Sequence, residues 1–256
     1  RILTLKMTSQ GGSSHIGSIF SIADILSVLY NDFLNIDCKK PYKSDRDRFV
    51  LSKGHAGAGV YAAIALKGFF PLSELFKHYQ NGSKFSGHVS HKGIKGVEFS
   101  TGSLGHGFPV AVGLSIAAKI NKQKHKIVCL ISDGECDEGS NWEALLLASH
   151  HRLHNLIVIV DKNGLQSIKS TNETLNLEPF KDKWVAFGWE VLEIDGHNIK
   201  EISTSLRTNT NGKPLCIIAN TIKGKGVSFM ENNVLWHYRT AKNEEYTKAL
   251  EELEST

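Results

Sequence analysis

Cysteine is scarce and dispersed in this sequence. The 256-residue chain has four, Cys38, Cys129, Cys136 and Cys216, with no C-x-x-C pair, which argues against a disulfide scaffold and a structural zinc site and fits reduced thiols in a cytoplasm. Long apolar runs are also lacking. Stretches such as Leu156 to Val160 fall far short of the roughly 18 residues that span a bilayer, and no basic start followed by an apolar core marks a signal peptide. The formal net charge is only +4 and no block of like charge occurs, so neither nucleic acid nor a membrane is an expected partner. Two nucleotide signatures are missing. There is no G-x-x-x-x-G-K-[ST], and Gly102-Ser103-Leu104-Gly105-His106-Gly107 has the wrong glycine spacing for G-x-G-x-x-G. The sequence opens at Arg1 rather than Met, which leaves open whether the N-terminus is truncated.

Hydrophobic residues make up 41% of the chain and charged residues 22%, a balance that predicts a sizeable buried core. Three five-residue apolar runs, 127–131, 156–160 and 215–219, are bounded by turn formers and suit strands buried on both faces. Helical stretches alternate with them: Ser21 to Asn31, His55 to Lys67, Phe108 to Asn121, Glu138 to Arg152 and Ile199 to Arg207. The expected fold is α/β, a doubly wound and mostly parallel sheet with helices on both faces. No repeat or linker divides residues 1–256, which predicts one domain with a C-terminal extension from about Gly224 that ends in the helix Glu244 to Glu254.

The sharpest local feature is Ser132-Asp133-Gly134-Glu135, directly after the run 127–131 and before a helix. A second polar loop, Asp161-Lys162-Asn163-Gly164-Leu165-Gln166, follows the next run. Strand, helix, strand is a crossover unit, so both loops emerge on one edge of the sheet, where open parallel sheets form their ligand crevice. Asp133 and Asn163 can then face each other. A carboxylate, an amide oxygen and a backbone carbonyl are hard ligands suited to Mg²⁺ shared with phosphates, and Gly134 would let backbone approach a diphosphate. Each loop taken alone also reads as an ordinary turn, because Asp-Gly and Asn-Gly are common turn formers. His15, His55 and His88 sit beside glycines in predicted loops, where function concentrates. His78, His91, His125, His150, His151 and His154 have no motif around them and read as surface or helix-face residues. Trp142, Leu145, Leu146 and Ser149 have helix-face spacing and read as core, and Cys136 as a small residue filling its loop.

Several spaced segments together resemble the N-terminal part of transketolase. They are Ser14-His15-Ile16-Gly17, Arg46 to His55, Gly87-His88, Thr101-Gly102-Ser103-Leu104-Gly105, Asp133-Gly134-Glu135 with Glu138-Gly139 and Trp142-Glu143, and Asp161 to Gln166, in the family's order over about residues 1–240. The resemblance implies a thiamine diphosphate-binding domain. It implies that Asp133, Asn163 and the carbonyl of Leu165 hold Mg²⁺ (or Ca²⁺), with Gly134 and Glu135 beside the diphosphate. It further implies that His55 and His237 reach the diphosphate and the reacting centre, and that His15 and His88 line the sugar channel. By the same likeness Gly102, Ser103 and Leu104 meet the aminopyrimidine, and Glu138 reaches a neighbouring subunit. Positioned imidazoles suit proton transfers at sugar oxygens. Four positions depart from the family: Ser132 and Ile16 stand where glycine and proline are usual, His106 where glutamine is usual, and Tyr238 follows His237 where glycine is common.

In the family, the glutamate that activates the cofactor lies in a second, pyrimidine-binding domain, and nothing after residue 240 matches it. The resemblance therefore implies the N-terminal subunit of a split transketolase. Such a protein moves a two-carbon ketol unit from a ketose (phosphate) to an aldose (phosphate) with a C-terminal partner, in an α2β2 heterotetramer. A related thiamine diphosphate component, for specialised sugar transfer or 2-oxo acid decarboxylation, is the alternative enzyme; a scaffold that has lost its chemistry is the alternative outside catalysis.

Overall fold

The computed structural model describes residues 1–255. Helices α1 (Ile2–Gly11), α2 (Ile16–Ser21) and α3 (Ala23–Val28) come first, followed by β1 (Arg48–Leu51), α4 (Gly57–Leu66) and α5 (Gly107–Ile120). Next are β2 (Ile127–Ser132), α6 (Gly139–His150), β3 (Leu156–Lys162) and the short α7 (Thr171–Thr174). The chain continues through α8 (Phe180–Ala186), β4 (Glu190–Asp195), α9 (Ile199–Leu206) and β5 (Leu215–Asn220) to α10 (Glu244–Glu254).

The strands form one sheet in the order β1-β2-β3-β5-β4, parallel at every pairing. Successive strand residues face opposite layers. Val128, Leu130, Ile157 and Ile159 pack with the helices on one side, and Ile127, Cys129, Ile131, Val158 and Val160 with α5, α6 and α8 on the other. That two-sided burial is why the runs at β2, β3 and β5 are continuously apolar. The connections β2→β3 and β3→β4 advance in one direction across the sheet, with α6 and α8 on the same face. The connection β4→β5 turns back, and Ile202 and Leu206 of α9 pack on the opposite face, as a constant crossover hand requires.

The α/β expectation holds, with differences in the elements. The expected helix from Ser21 to Asn31 is broken at Ile22 (φ −100°, ψ 4°), where α2 ends and α3 begins, and it closes in a π-turn over Leu29–Phe33. Strand β1 lies inside the Arg46 to His55 motif. The segment after Gly224 folds back into the core: Val227, Met230 and Trp236 are buried, and α10 packs on α1. Among the described residues all four cysteines are free thiols, Cys136 is buried, and no helix is long and apolar enough to cross a membrane.

Candidate active site

The carboxyl ends of β1, β2, β3 and β5 converge, and from the segments just beyond them Lys53, Gly134, Asn163, Leu165, Gln166 and Lys223 line a cavity of about 180 Å³, with Asp133 buried behind that wall. Ser52 and Lys53 follow β1, Asp133 and Gly134 follow β2, Asn163 to Gln166 follow β3, and Thr221 to Lys223 follow β5. Ser132 and Asp161 are register partners, so the two loops picked out from the sequence leave the sheet side by side. Asp133 joins them directly: its Oδ1 accepts from the Gly134 N–H (2.8 Å) and its Oδ2 from the Gly164 N–H (2.7 Å). Burial, and next the charge of Asp161, push the Asp133 carboxyl up to about 6 despite these donors. Gly134 is needed for close approach, since a Cβ there would stand 2.8 Å from the Gln166 side chain.

Behind this pair lies a charged anchor. Asp161 Oδ2 accepts from Lys53 Nζ (2.5 Å), Ser21 Oγ (2.7 Å) and Asn163 Nδ2 (2.9 Å), while its Oδ1 accepts from Thr221 Oγ1. Burial works against the Asp161 carboxylate, but Lys53 and the hydroxyls outweigh it and hold the group below the usual range. Because Asn163 gives its amide N–H₂ to Asp161, its Oδ1 remains the acceptor and takes the Leu165 N–H (3.1 Å). The donor set Asp133, Asn163 Oδ1 and Leu165 carbonyl is all oxygen with one carboxylate, chemistry that fits a hard divalent cation. Among the described residues no group of three or more His, Cys, Asp or Glu side chains is arranged to hold a metal.

The four histidines singled out from the sequence come together. His15 is the hub, with ring centroids 5.0 Å from His55, 5.6 Å from His88 and 5.0 Å from His237; His55 and His237 are 5.8 Å apart. His15 holds a left-handed backbone (φ 74°), a strained state for a residue with a Cβ, and its N–H donates to the His237 carbonyl (2.8 Å). Burial foremost, with the nearby cations Lys223 and Lys53 adding to it, lowers His15 to about 4 and His237 to about 3. His55 is lowered too, chiefly by burial and then by Lys53, and burial alone lowers His88. The cluster is therefore neutral at neutral pH.

Lys223, which stands outside every motif of the sequence, spans the two parts of the site. Its Nζ donates to the carbonyls of Leu165 (3.0 Å) and Gln166 (2.9 Å) and lies 2.9 Å from His237 Nδ1. An ammonium can only donate, so His237 Nδ1 is an acceptor and the ring proton sits on Nε2. Burial, then Lys53, lowers Lys223 to about 8. Lys53 and Asp161 lie inside transketolase-like motifs but were assigned no role by sequence reasoning; the one signal for Lys223 is its place in the glycine-flanked Ile222 to Gly226 stretch.

The remaining expected residues divide. Leu104 lines the cavity, and Gly102 packs beside the His88 ring. Ser103 and Glu138 are exposed at the rim, and Glu138 abuts Gly105, where a Cβ would stand 2.6 Å from its side chain. Glu135, expected beside the diphosphate, instead turns inward: it has no exposure, and its carboxylate takes Ser52 Oγ (2.5 Å) and the N–H groups of Gly105 (3.0 Å) and Ser132 (3.3 Å). Its carboxylate braces the 102–105 segment rather than facing a ligand. His78 and His125, read as surface or helix-face residues, are instead 1% and 8% exposed outside any α-helix, His78 being held by Ser13 Oγ (2.9 Å). Of the residues read as core on this helix, Leu145 is buried as expected but Leu146 is 57% exposed.

A family model described as "Transketolase, thiamine diphosphate binding domain" matches residues 1–254. The chain belongs to the transketolase family. It is 46% identical to one of the subunits of the apulose-4-phosphate transketolase of Actinobacillus succinogenes, over 99% of this chain and 92% of that protein. It is 42% identical to the 6-deoxy-6-sulfo-D-fructose transketolase subunit SqwG of a Clostridium species, covering 99% of this chain and 93% of that one. The crystal structure of a transketolase from Campylobacter jejuni superposes with a TM-score of 0.92 at 36% identity, over 99% of this chain and 41% of the other. This transketolase chain thus matches the single subunits of split enzymes almost end to end, and less than half of the one-chain enzyme.

Proposed function

We propose that this chain is the cofactor-binding half of a two-subunit transketolase, moving a two-carbon ketol unit from a ketose or ketose phosphate to an aldose or aldose phosphate. The observation that carries the reading is a cluster of four histidines, each kept neutral by burial, of which His55 and His237 line a cavity walled by the loops after β2 and β3 while His15 and His88 pack against them. Asp133, Asn163 Oδ1 and the Leu165 carbonyl would hold Mg²⁺ (or Ca²⁺). When bound, thiamine diphosphate supplies the electron sink for the two-carbon fragment.

The chain's own groups do the rest. Gly134 opens the backbone to a diphosphate and Lys223 offers it positive charge at the same wall. His237, with its proton fixed on Nε2, donates to a substrate oxygen. His15 Nδ1 is engaged by Ser14 Oγ (2.8 Å), so Nε2 is the ring nitrogen it can offer; neutral His15 and His55 are the groups to take a proton from a sugar hydroxyl, which an imidazolium could not do. His88 closes the channel beside Gly102. The carboxylate that activates the cofactor comes from a C-terminal subunit with the pyrimidine-binding domain, in an α2β2 assembly in the cytoplasm, with Glu138 at the rim facing that neighbour.

The test is to assay ketol transfer between sugar phosphates with this chain alone and with the C-terminal subunit. Turnover that needs both chains supports the reading; robust turnover by the lone chain, or none by the pair, contradicts it.

A further inference from the structure

One side chain at the histidine cluster has no part in the chemistry above. Tyr238 meets the His237 ring edge-on at 4.7 Å and the His15 ring at 5.8 Å, and it lines the cavity together with His55, Leu104 and Lys223. It is 63% exposed, so core packing does not account for an aromatic ring there. Its place is fixed from both sides. The preceding carbonyl, that of His237, takes the His15 N–H, and two residues on, Thr240 Oγ1 donates to the Ser13 carbonyl (2.6 Å). Arg239, next to it, stacks over Trp236 at 5.3 Å. The backbone is therefore tied on both sides of Tyr238, its ring rests against His237 and His15 at the lip of the cavity, and the phenol oxygen has no hydrogen-bond partner among the described residues. A tyrosine in that setting offers an apolar face to the carbons of a sugar chain and a free hydroxyl to its oxygens, at little conformational cost.

We propose that Tyr238 is a specificity-determining residue: its ring walls the channel to the histidines and selects ketoses by the carbons that must pass it. The inference rests on the ketol-transfer reading and names what discriminates substrates within it. In a cavity of about 180 Å³, a ring at the lip decides how much of a longer chain is admitted. A fit difference of one methylene in a site is worth about tenfold or more in discrimination.

The experiment uses the chain assembled with its pyrimidine-binding partner, as wild type, Tyr238→Gly and Tyr238→Phe. The probes are ketose phosphates of five, six and seven carbons, assayed with one common aldose acceptor. Tyr238→Gly is expected to change the ratio of kcat/KM between the shortest and longest ketose by about tenfold, carried by KM, because contact made along the chain is lost rather than chemistry. Tyr238→Phe keeps the ring and the wild-type ratio. Thiamine diphosphate affinity by calorimetry and assembly size by sedimentation stay unchanged in both. An unchanged ratio in Tyr238→Gly overturns the proposal. So does an equal fall for every ketose, which would mark a contact between subunits, or a loss of cofactor affinity, which would mark a structural role. Absence of transfer by the wild-type pair appears before any variant is compared and overturns the underlying reading instead.

Discussion

Lys53 Nζ lies 2.5 Å from Asp161 Oδ2, and neither side chain has any exposure to solvent. The pair joins the end of β1 to the end of β3 across the intervening β2, and the same carboxylate fixes the amide of Asn163. It is thus both a tie between strand tips and the group that, by taking the Asn163 N–H₂, leaves Oδ1 as that residue's candidate ligand atom.

Removing one partner strands the other charge in the interior. Lys53→Met leaves Asp161 with only neutral donors, which is expected to cost about 3–5 kcal/mol. Urea unfolding followed by circular dichroism reads this as a lower midpoint. A midpoint equal to wild type would mean the pair is solvated in solution.

Asp133 is the single charged member of the proposed oxygen set. Asp133→Ala removes the anionic ligand and also leaves the Gly164 N–H without its acceptor. Loss of an outer partner of a metal ligand typically costs 10–100-fold in affinity, so loss of the carboxylate itself should lower Mg²⁺-dependent thiamine diphosphate binding by at least about a hundredfold. Titration calorimetry of the two-subunit complex with Mg²⁺ and the cofactor reads the change directly. Equal affinity in the variant would remove Asp133 from the metal site.

What could be read from sequence followed burial. The runs at β2, β3 and β5 are apolar throughout because both faces are covered, and they were legible for that reason. Strand β4, Glu190-Val-Leu-Glu-Ile-Asp, is an edge strand with half-exposed sides and carries no such signal. Helix α1 hid behind its threonines: buried Thr4 and Thr8 return their hydroxyls to the carbonyls of Arg1 and Thr4, which keeps polar residues inside a helix that periodicity would not find. His237, flanked by Trp236 and Tyr238, was reached only through the family resemblance, whereas His15, His55 and His88 were legible through neighbouring glycines. Gly54 shows why, since a Cβ there would stand 2.4 Å from the Thr101 carbonyl and keep the His55 turn from meeting the 101–105 segment. Lys53 with Asp161, and Lys223 with Leu165, are contacts separated by 108 and 58 residues, so no local pattern marks either pair.

His78 links acid sensitivity to a buried site away from the cavity. Burial, only partly offset by the Phe85 backbone, lowers its imidazole from 6.5 to about 4 in the folded chain. The unfolded chain therefore binds the proton more tightly, and the contribution to stability is fully present above about pH 6.5 and is lost as pH falls through about 4. At about 1.4 kcal/mol per unit, the loss across that window is about 3 kcal/mol. Other depressed histidines act in the same direction, so the measurement is a difference: unfolding free energy against pH for wild type and for His78→Gln. The wild-type curve should fall more steeply than the variant's between pH 6.5 and 4, and the two should run parallel above pH 7. Parallel curves throughout would show that His78 titrates alike in both states and is open to water in the native fold.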